Sequence, residues 1–402
     1  MRILDLNSSY SPSGGGIRVY HERKLEYFAT GSDHESALAV PCREDGLLSP
    51  GPPRIYGLKS VPLLDSGYRM VVGSGGISSI LQDYRPDIVE VGSPYLMPRL
   101  ARIALGNSGI PVVGFYHTDF PDSYVGPYAE KFLPAPLASL LHRLSREHVR
   151  RTYSGMTAVF AASGCMLAKL RELGVRNLFH TPLGVDTEVF SPGAASTEFR
   201  KEMGVPQGGS LVLYLARLHW EKGLDMLLEA YPLFRDPARL KLVIGGQGPH
   251  SHLVDRFIRR YPEVARLPFL RGREEVARVM ASSDVFLALG SYETFGLAGL
   301  EAISCGTVPV FPDRGGSAEM ARSLGLLEPY VWDSPGSLAS SVRKATGLSG
   351  PEVSGRLREY ALSGRSWEDT FRRIEGFYVM ILEACRRGRP ESLVPEGDWW
   401  EA

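Results

Sequence analysis

A chain of 402 residues is too long for one ordinary domain, and two domains are the natural expectation. Its apolar fraction of 44% suits a globular protein with substantial cores, and 45 lysines and arginines balance 45 aspartates and glutamates. The neutral balance lacks the basic excess of a nucleic-acid binder, so no nucleic-acid partner is expected.

Cys42, Cys165, Cys305 and Cys385 lie far apart and make no CxxC pair. No zinc or redox motif follows, and a reduced cytoplasmic compartment is the expectation. The apolar part of Met1–Asn7 is too short for a signal-peptide core and is interrupted by Asp5. No run of 18 apolar residues predicts a membrane span, although a peripheral position on the inner face of a membrane fits this composition.

In chain order, Met1–Asn7 alternates like a strand, and a turn-rich stretch ending in Gly14-Gly15-Gly16 precedes a predicted helix over Ile17–Thr30. Asp87–Val91 and Pro111–Phe115 are short β-branched runs between turn signals and helix-like segments. Such alternation predicts an α/β fold with mostly parallel sheets. The turn-rich stretch around Pro182–Gly193 suggests a domain boundary, with one domain over 1–186 and another over 192–366. The second domain repeats the alternation. Strands are predicted at Ser210–Ala216, Leu240–Ile244, Asp284–Leu289 and Thr307–Phe311, with helices at Leu224–Phe234, Val276–Ser282 and Gly296–Ser304. A last helix over Trp367–Arg386 is expected to pack back on the first domain, and the tail from Gly388 to be irregular.

Four constellations carry chemistry. In Ser291-Tyr-Glu-Thr-Phe-Gly-Leu-Ala-Gly-Leu-Glu301, the carboxylates Glu293 and Glu301 flank a turn and the start of a helix. A helix start offers unpaired N–H groups to a phosphate, and carboxylates on either side could accept from hydroxyls. Two surface charges are the plain alternative, but the apolar, glycine-rich setting weighs against it. Arg217 and Lys222 follow the end of a strand, where open α/β sheets bind ligands, and they suit a diphosphate or are solvated loop cations. The Gly14-Gly15-Gly16 loop can present backbone N–H groups to an anion or be a flexible turn. It misses the dinucleotide fingerprint, because Val19 stands at the last glycine position. His117 ends a strand, where active-site groups project, although read alone a histidine there is more often structural. No GxxxxGK[ST], HExxH or Asp-x-Asp motif is present, so no metal or other cofactor is expected.

Together these residues resemble the retaining GT-B glycosyltransferases of family 4, the group 1 glycosyltransferases. Glu293-x7-Glu301 matches the EX7E motif, Arg217-x4-Lys222-Gly223 the phosphate clamp, Gly14-Gly15-Gly16 the N-terminal glycine loop, and His117 the acceptor-side histidine. Pro182–Asp186 resembles the linker segment, with Gly184 where Asn is usual, and Gly245-Gly246-Gln247-Gly248-Pro249 resembles the G-x-G-P turn. The resemblance implies two doubly wound Rossmann-like domains facing a central cleft.

It also implies roles. Glu293 would bind donor-sugar hydroxyls and Glu301 the ribose. Arg217 and Lys222 would hold the diphosphate together with the Gly15, Gly16, Gly296 and Leu297 backbone. Arg271 and Gly272 would lie near the base, Phe295 and Gly246 in the donor site, and His117 and Asp119 on the acceptor side. The implied reaction transfers a hexose from a UDP- or GDP-sugar to an acceptor hydroxyl with retention and without metal. A nucleotide-sugar epimerase of the same architecture is the alternative, and a non-catalytic binder a third.

Leu137, Leu140, Leu141 and Leu144 recur at helical spacing beside Arg143, Arg146, Arg150 and Arg151. The stretch Leu137–Arg151 is either a surface helix with its leucines in the core or a basic amphipathic helix on an anionic membrane. The second reading would favour a lipid-linked acceptor.

Overall fold

The computed structural model describes residues 1–8, 10, 15–63, 69–92, 94–388 and 393. Gly14 and most of the tail lie outside them. The chain divides into two compact units, Met1–Pro182 with Trp367–Ala402, and Leu183–Ser366. The division falls just before the isolated bridge between Val185 and Ser366.

Among the described residues the first unit holds nine strands: β1 (Arg2–Leu6), β2 (Glu35–Cys42), β3 (Gly46–Ser49), β4 (Arg54–Pro62), β5 (Arg69–Val71), β6 (Ile88–Val91), β7 (Val112–Phe115), β8 (Ala158–Ala161) and β9 (Leu178–His180). Their order is β3-β4-β2-β1-β6-β7-β8-β9, with β5 on β4. Pairing is parallel throughout except for β3 and β5, which run antiparallel to β4. The second unit holds β10 (Ser210–Leu215), β11 (Leu240–Gly245), β12 (Ala265–Arg266), β13 (Val285–Leu287) and β14 (Val308–Val310), all parallel, in the order β12-β11-β10-β13-β14. In each sheet the order reverses about its first strand, as in a Rossmann fold. The switch points lie between β1 and β6 and between β10 and β13, and ligands bind at the carboxyl ends of such strands.

The strands predicted from β-branched runs form close to where expected. Leu211, Val212, Leu213 and Tyr214 are all fully buried, as strands covered on both faces require. Four strands between Glu35 and Val71 are not foreshadowed by such runs. The final helix spans Trp367–Arg386 and buries Trp367, Phe371, Ile374, Tyr378 and Ile381 along one stripe. The first unit also buries a charge network. Lys24, fully enclosed, bonds Asp5 at 2.6 Å and lies 3.2 Å from Glu90. It donates to the Tyr378 hydroxyl at 2.7 Å, which donates in turn to Glu90, as Tyr20 does at 3.1 Å. No helix among the described residues is long and apolar enough to cross a membrane.

Candidate functional site

In the second unit, the carboxyl ends of β10 and β13 carry the candidate clamp. β10 ends at Leu215, and a short loop bearing Arg217 leads into the turn Trp220–Lys222. Gly223 follows in the left-handed region at φ 72°, ψ 25°, which lets the chain enter the helix Leu224–Phe234 directly. A Cβ there would lie 2.6 Å from the Leu289 carbonyl oxygen, so the turn also needs glycine to sit against the end of β13. This brings the Lys222 Nζ to 2.6 Å from the Glu293 Oε1, with both side chains about one-third exposed. Burial pulls the Lys222 ammonium down, but the Glu293 carboxylate and its hydrogen bond outweigh it, and the group sits above its ordinary value. Arg217, half open to solvent, stands 4.0 Å from the buried Glu221.

The turn from β11 buttresses this loop. Gly246 has φ 113°, and a Cβ there would fall 1.9 Å from the Ala216 carbonyl oxygen. Gly248 similarly abuts Leu218, whose N–H donates to Gln247 O at 3.0 Å. Beside it His219 stacks on His250 at 5.2 Å. Burial, then the Arg217 charge, lowers His219 to about 4. It is therefore neutral at physiological pH.

Two helix starts meet at the Glu293 turn. Gly296, at φ 98°, opens the helix Leu297–Ser304, and the Gly315-Gly316-Ser317 corner opens the helix Gly315–Leu324. Gly316 N–H donates to the Glu293 carbonyl at 2.7 Å, and a Cβ on Gly315 would sit 2.7 Å from that same oxygen. The glycine pair thus holds the Glu293 turn in place. Sequence reasoning missed it, and two glycines ahead of a helix were the available signal. Ser317 and Ser291 bury hydroxyls without partners among the described residues.

Glu301 lies within the helix Leu297–Ser304. Burial, and then the Asp186 charge, pushes its carboxyl up to about 8. Asp186 accepts from Arg273 at 3.3 Å and from the Val189 N–H at 3.2 Å. Arg271 is exposed and its N–H donates to Glu275. Gly272 caps the helix Arg273–Ala281, and Phe295, half-buried, packs against the hydrophobic core of the second unit.

In the first unit, Gly15 caps the helix Gly16–Thr30. Among the described residues nothing lies within 4 Å of where a Cβ on Gly15 would stand, so its backbone faces open space. β7 delivers His117, which stacks on Phe115 at 3.9 Å and meets Tyr20 edge-on. Burial, with His21 and Lys24 nearby, lowers the imidazole to about 3, so it is neutral. Gly92, at the end of β6, leaves room for it, because a Cβ there would lie 3.3 Å from the imidazole Cδ2. Asp119 is nearly buried and its carboxylate is engaged by the Tyr116 hydroxyl at 2.8 Å and Lys169 at 2.5 Å. Lys169 also holds Asp122, which pairs with His142.

The model for group 1 glycosyl transferases matches residues 195–361, and that for glycosyltransferase family 4 matches residues 14–189. The chain is 31% identical over 364 residues to a GDP-mannose-dependent alpha-(1-6)-phosphatidylinositol dimannoside mannosyltransferase of Mycobacterium tuberculosis, covering 88% of this chain and 89% of that protein. It is 28% identical to a GDP-mannose-dependent alpha-mannosyltransferase of Corynebacterium glutamicum, covering 80% and 74%. Among solved structures, sucrose-phosphate synthase from Thermosynechococcus elongatus superposes with a TM-score of 0.78 at 15% identity, over 95% of this chain and 99% of that one. A glycosyltransferase from Rickettsia africae gives 0.70 at 16% identity, over 95% and 98%. With two Rossmann-like units and both family halves matched in order, the chain belongs to the group 1, family 4 glycosyltransferases of the GT-B fold.

Proposed function

We propose that the protein transfers mannose from GDP-mannose, with retention and without a metal, to a hydroxyl of a lipid-borne acceptor. The observation that carries the transferase chemistry is the Lys222–Glu293 pair at the β10/β13 switch point, beside two glycine-opened helix starts. The mannose donor and lipid acceptor rest on the relatives, whose names specify GDP-mannose and, for one, phosphatidylinositol dimannoside.

In this reading Arg217 and Lys222 hold the diphosphate, joined by the Gly296 and Leu297 N–H groups. Glu293 accepts from sugar hydroxyls, Glu301 from the ribose, and Arg271 and Gly272 flank the base. As the glycosidic bond breaks, negative charge gathers on the departing phosphate, and the two cations and aligned N–H dipoles stabilise it without reorganising. Phe295 lines the donor site, and Gly246 supports it by letting the β11 turn press on the Arg217 loop. His117, neutral, serves the acceptor side of the first unit. Asp119 acts on the acceptor side by fixing the loop after β7 through Tyr116 and Lys169. Proton removal from the acceptor falls to a donor phosphate oxygen on the attacked face. The test is turnover of GDP-mannose and UDP-glucose with a phosphatidylinositol mannoside acceptor in EDTA. Anomer-retaining mannosyl transfer, with GDP released only when acceptor is present, is expected. Loss of turnover restored by Mg²⁺, an inverted product, or an altered sugar on intact nucleotide would each overturn part of it.

The same reading brings the protein to an anionic membrane surface. The helix Ala135–Tyr153 buries Ala138, Ser145, Val149 and Tyr153, while Leu137, Leu140, Leu141 and Leu144 are 44%, 38%, 37% and 54% exposed. Phe132, just before it, is 69% exposed. An apolar stripe turned outward beside arginines suits insertion at the level of lipid headgroups. Salt-sensitive binding to phosphatidylglycerol vesicles is expected, and no binding at low ionic strength would remove the membrane from the proposal.

A further inference from the structure

Five aromatic rings of the second unit stand in a row that follows the strand order of its sheet. His250 comes from the turn after β11, His219 and Trp220 from the loop after β10, and Tyr292 from the turn after β13. Trp332 comes from the segment that Tyr330 bridges to Pro312, just past β14. Successive ring centroids lie 5.2, 5.3, 5.7 and 6.5 Å apart. The Trp332 end is fastened by its backbone N–H, which donates to the Asp313 carboxylate at 3.1 Å. The row crosses the switch point between β10 and β13. There Trp220 meets Tyr292 edge-on, with the ring planes at 83°, and joins the two segments that carry the donor residues. Lys222 lies two positions after Trp220, and Glu293 directly after Tyr292.

The two segments are thus tied twice, once by charges and once by rings, and a donor acts on the two ties differently. The Lys222 Nζ and Glu293 Oε1 are 2.6 Å apart, with about one-third of each side chain exposed. Solvent and salt weaken such a bond. In the donor reading above, the same two groups turn to a diphosphate and to sugar hydroxyls, so a bound donor draws them towards different parts of itself. The contact between Trp220 and Tyr292 holds by dispersion and by the quadrupoles of two edge-to-face rings, for which a donor does not compete.

We propose that Trp220 and Tyr292 are positioning residues for the transfer: their contact keeps the Lys222 and Glu293 segments aligned once the donor has engaged both charged side chains. The inference rests on the donor reading given above. The free protein is insensitive to the contact, because its ion pair is intact. The reacting complex is sensitive to it, because a displacement of about 1 Å at the leaving phosphate slows the chemistry severely.

The test is steady-state kinetics of the full chain with GDP-mannose and a phosphatidylinositol mannoside acceptor, beside melting of the free protein. Trp220→Leu and Tyr292→Leu should each lower kcat by about tenfold to a hundredfold, with donor KM within about threefold of wild type. Their free-protein Tm should stay within about 3 °C of wild type. Both substitutions remove one and the same contact, so the double variant should fall no further than the worse single variant. Trp220→Phe and Tyr292→Phe keep a ring and should regain most of the rate. If Trp220→Leu does not fold, Tyr292→Leu and its phenylalanine rescue carry the test. Wild-type kcat in the leucine variants, multiplied losses in the double variant, or no rescue by phenylalanine overturns the positioning role. So does a large fall in Tm with the rate restored on cooling, which would make the contact ordinary packing. Melting of the wild type with GDP-mannose, GDP and UDP-glucose reads the donor site separately. If none of them stabilises it, the donor reading has failed and the positioning role falls with it; if they do and the leucine variants turn over normally, the positioning role alone falls.

Discussion

Replacing Glu301 by Gln is expected to stabilise the free protein and weaken its hold on nucleotide. Burial, followed by the Asp186 charge, raises the Glu301 carboxyl from 4.5 to about 8. Below pH 4.5 the group is protonated in folded and unfolded chains alike. Between 4.5 and 8 the unfolded chain releases a proton that the folded chain retains, so stability declines as pH rises, and above about 8 the loss is complete. At full value each pH unit in that window is worth about 1.4 kcal/mol. The side chain keeps partial solvent exposure, which reduces the expected total to about 2 kcal/mol. For a unit the size of Leu183–Ser366 that is about 5 °C in Tm. Calorimetric melting of wild type and Glu301→Gln from pH 4.5 to 9, without nucleotide, should give curves that coincide at the acid end and diverge to a constant gap above pH 8, with Gln higher. At pH 9, where Glu301 is ionised in the folded chain, saturating GDP should raise the wild type more, because an amide oxygen replaces a charged acceptor at the ribose. A gap that does not change with pH would refute the buried-carboxyl argument, and equal stabilisation by GDP would remove Glu301 from the nucleotide site.

Lys222→Ala should lower kcat by about 10²–10³ with a smaller rise in donor KM, and Arg217→Lys should restore little; steady-state kinetics showing a change in KM alone would reduce both to donor holders. Lys24→Met should cost about 3–5 kcal/mol in urea unfolding, because Asp5 and Glu90 are left enclosed without their cation. A loss under about 1 kcal/mol would mean the network is not a coupled unit. Gly246→Ala should cost at least about 1 kcal/mol and depress turnover, since its Cβ would drive into the Ala216 carbonyl at a φ that alanine resists; normal melting and normal rates would argue against the buttress.

Much of the second unit was legible because its strands are short apolar runs and the helices from Leu224 and Leu297 follow a glycine. The motif positions Glu293, Glu301, Arg217 and Lys222 announced themselves by spacing, although the Lys222–Glu293 bond came only with the fold. Lys24 was not legible. A lysine in a helix is usually solvated, and this one is interior because partners arrive from β1, β6 and a helix more than 300 residues away. A signal did exist: Asp5 and Glu90 each interrupt an apolar run in a strand buried on both faces, where an acid needs a partner. β2 was hidden by its alanines and Pro41, which favour no regular structure strongly. The Leu137–Leu144 stripe shows the limit of periodicity. Spacing reveals that a face is apolar, but not whether that face turns inward, and here the helix packs by Ala138, Ser145 and Val149 instead.

The tie between Lys24 and Tyr378 spans 354 positions of sequence. During synthesis at about 5–20 residues per second, the helix bearing Lys24 waits on the order of 20–70 s for the hydroxyl that completes its surroundings. Throughout that interval the whole of the second unit is being made and can fold. The first unit is therefore the last to finish although it is the first to emerge. A ribosome that stops short of Trp367 releases a chain whose second unit is whole and whose first unit still has an ammonium group and two carboxylates awaiting a lid.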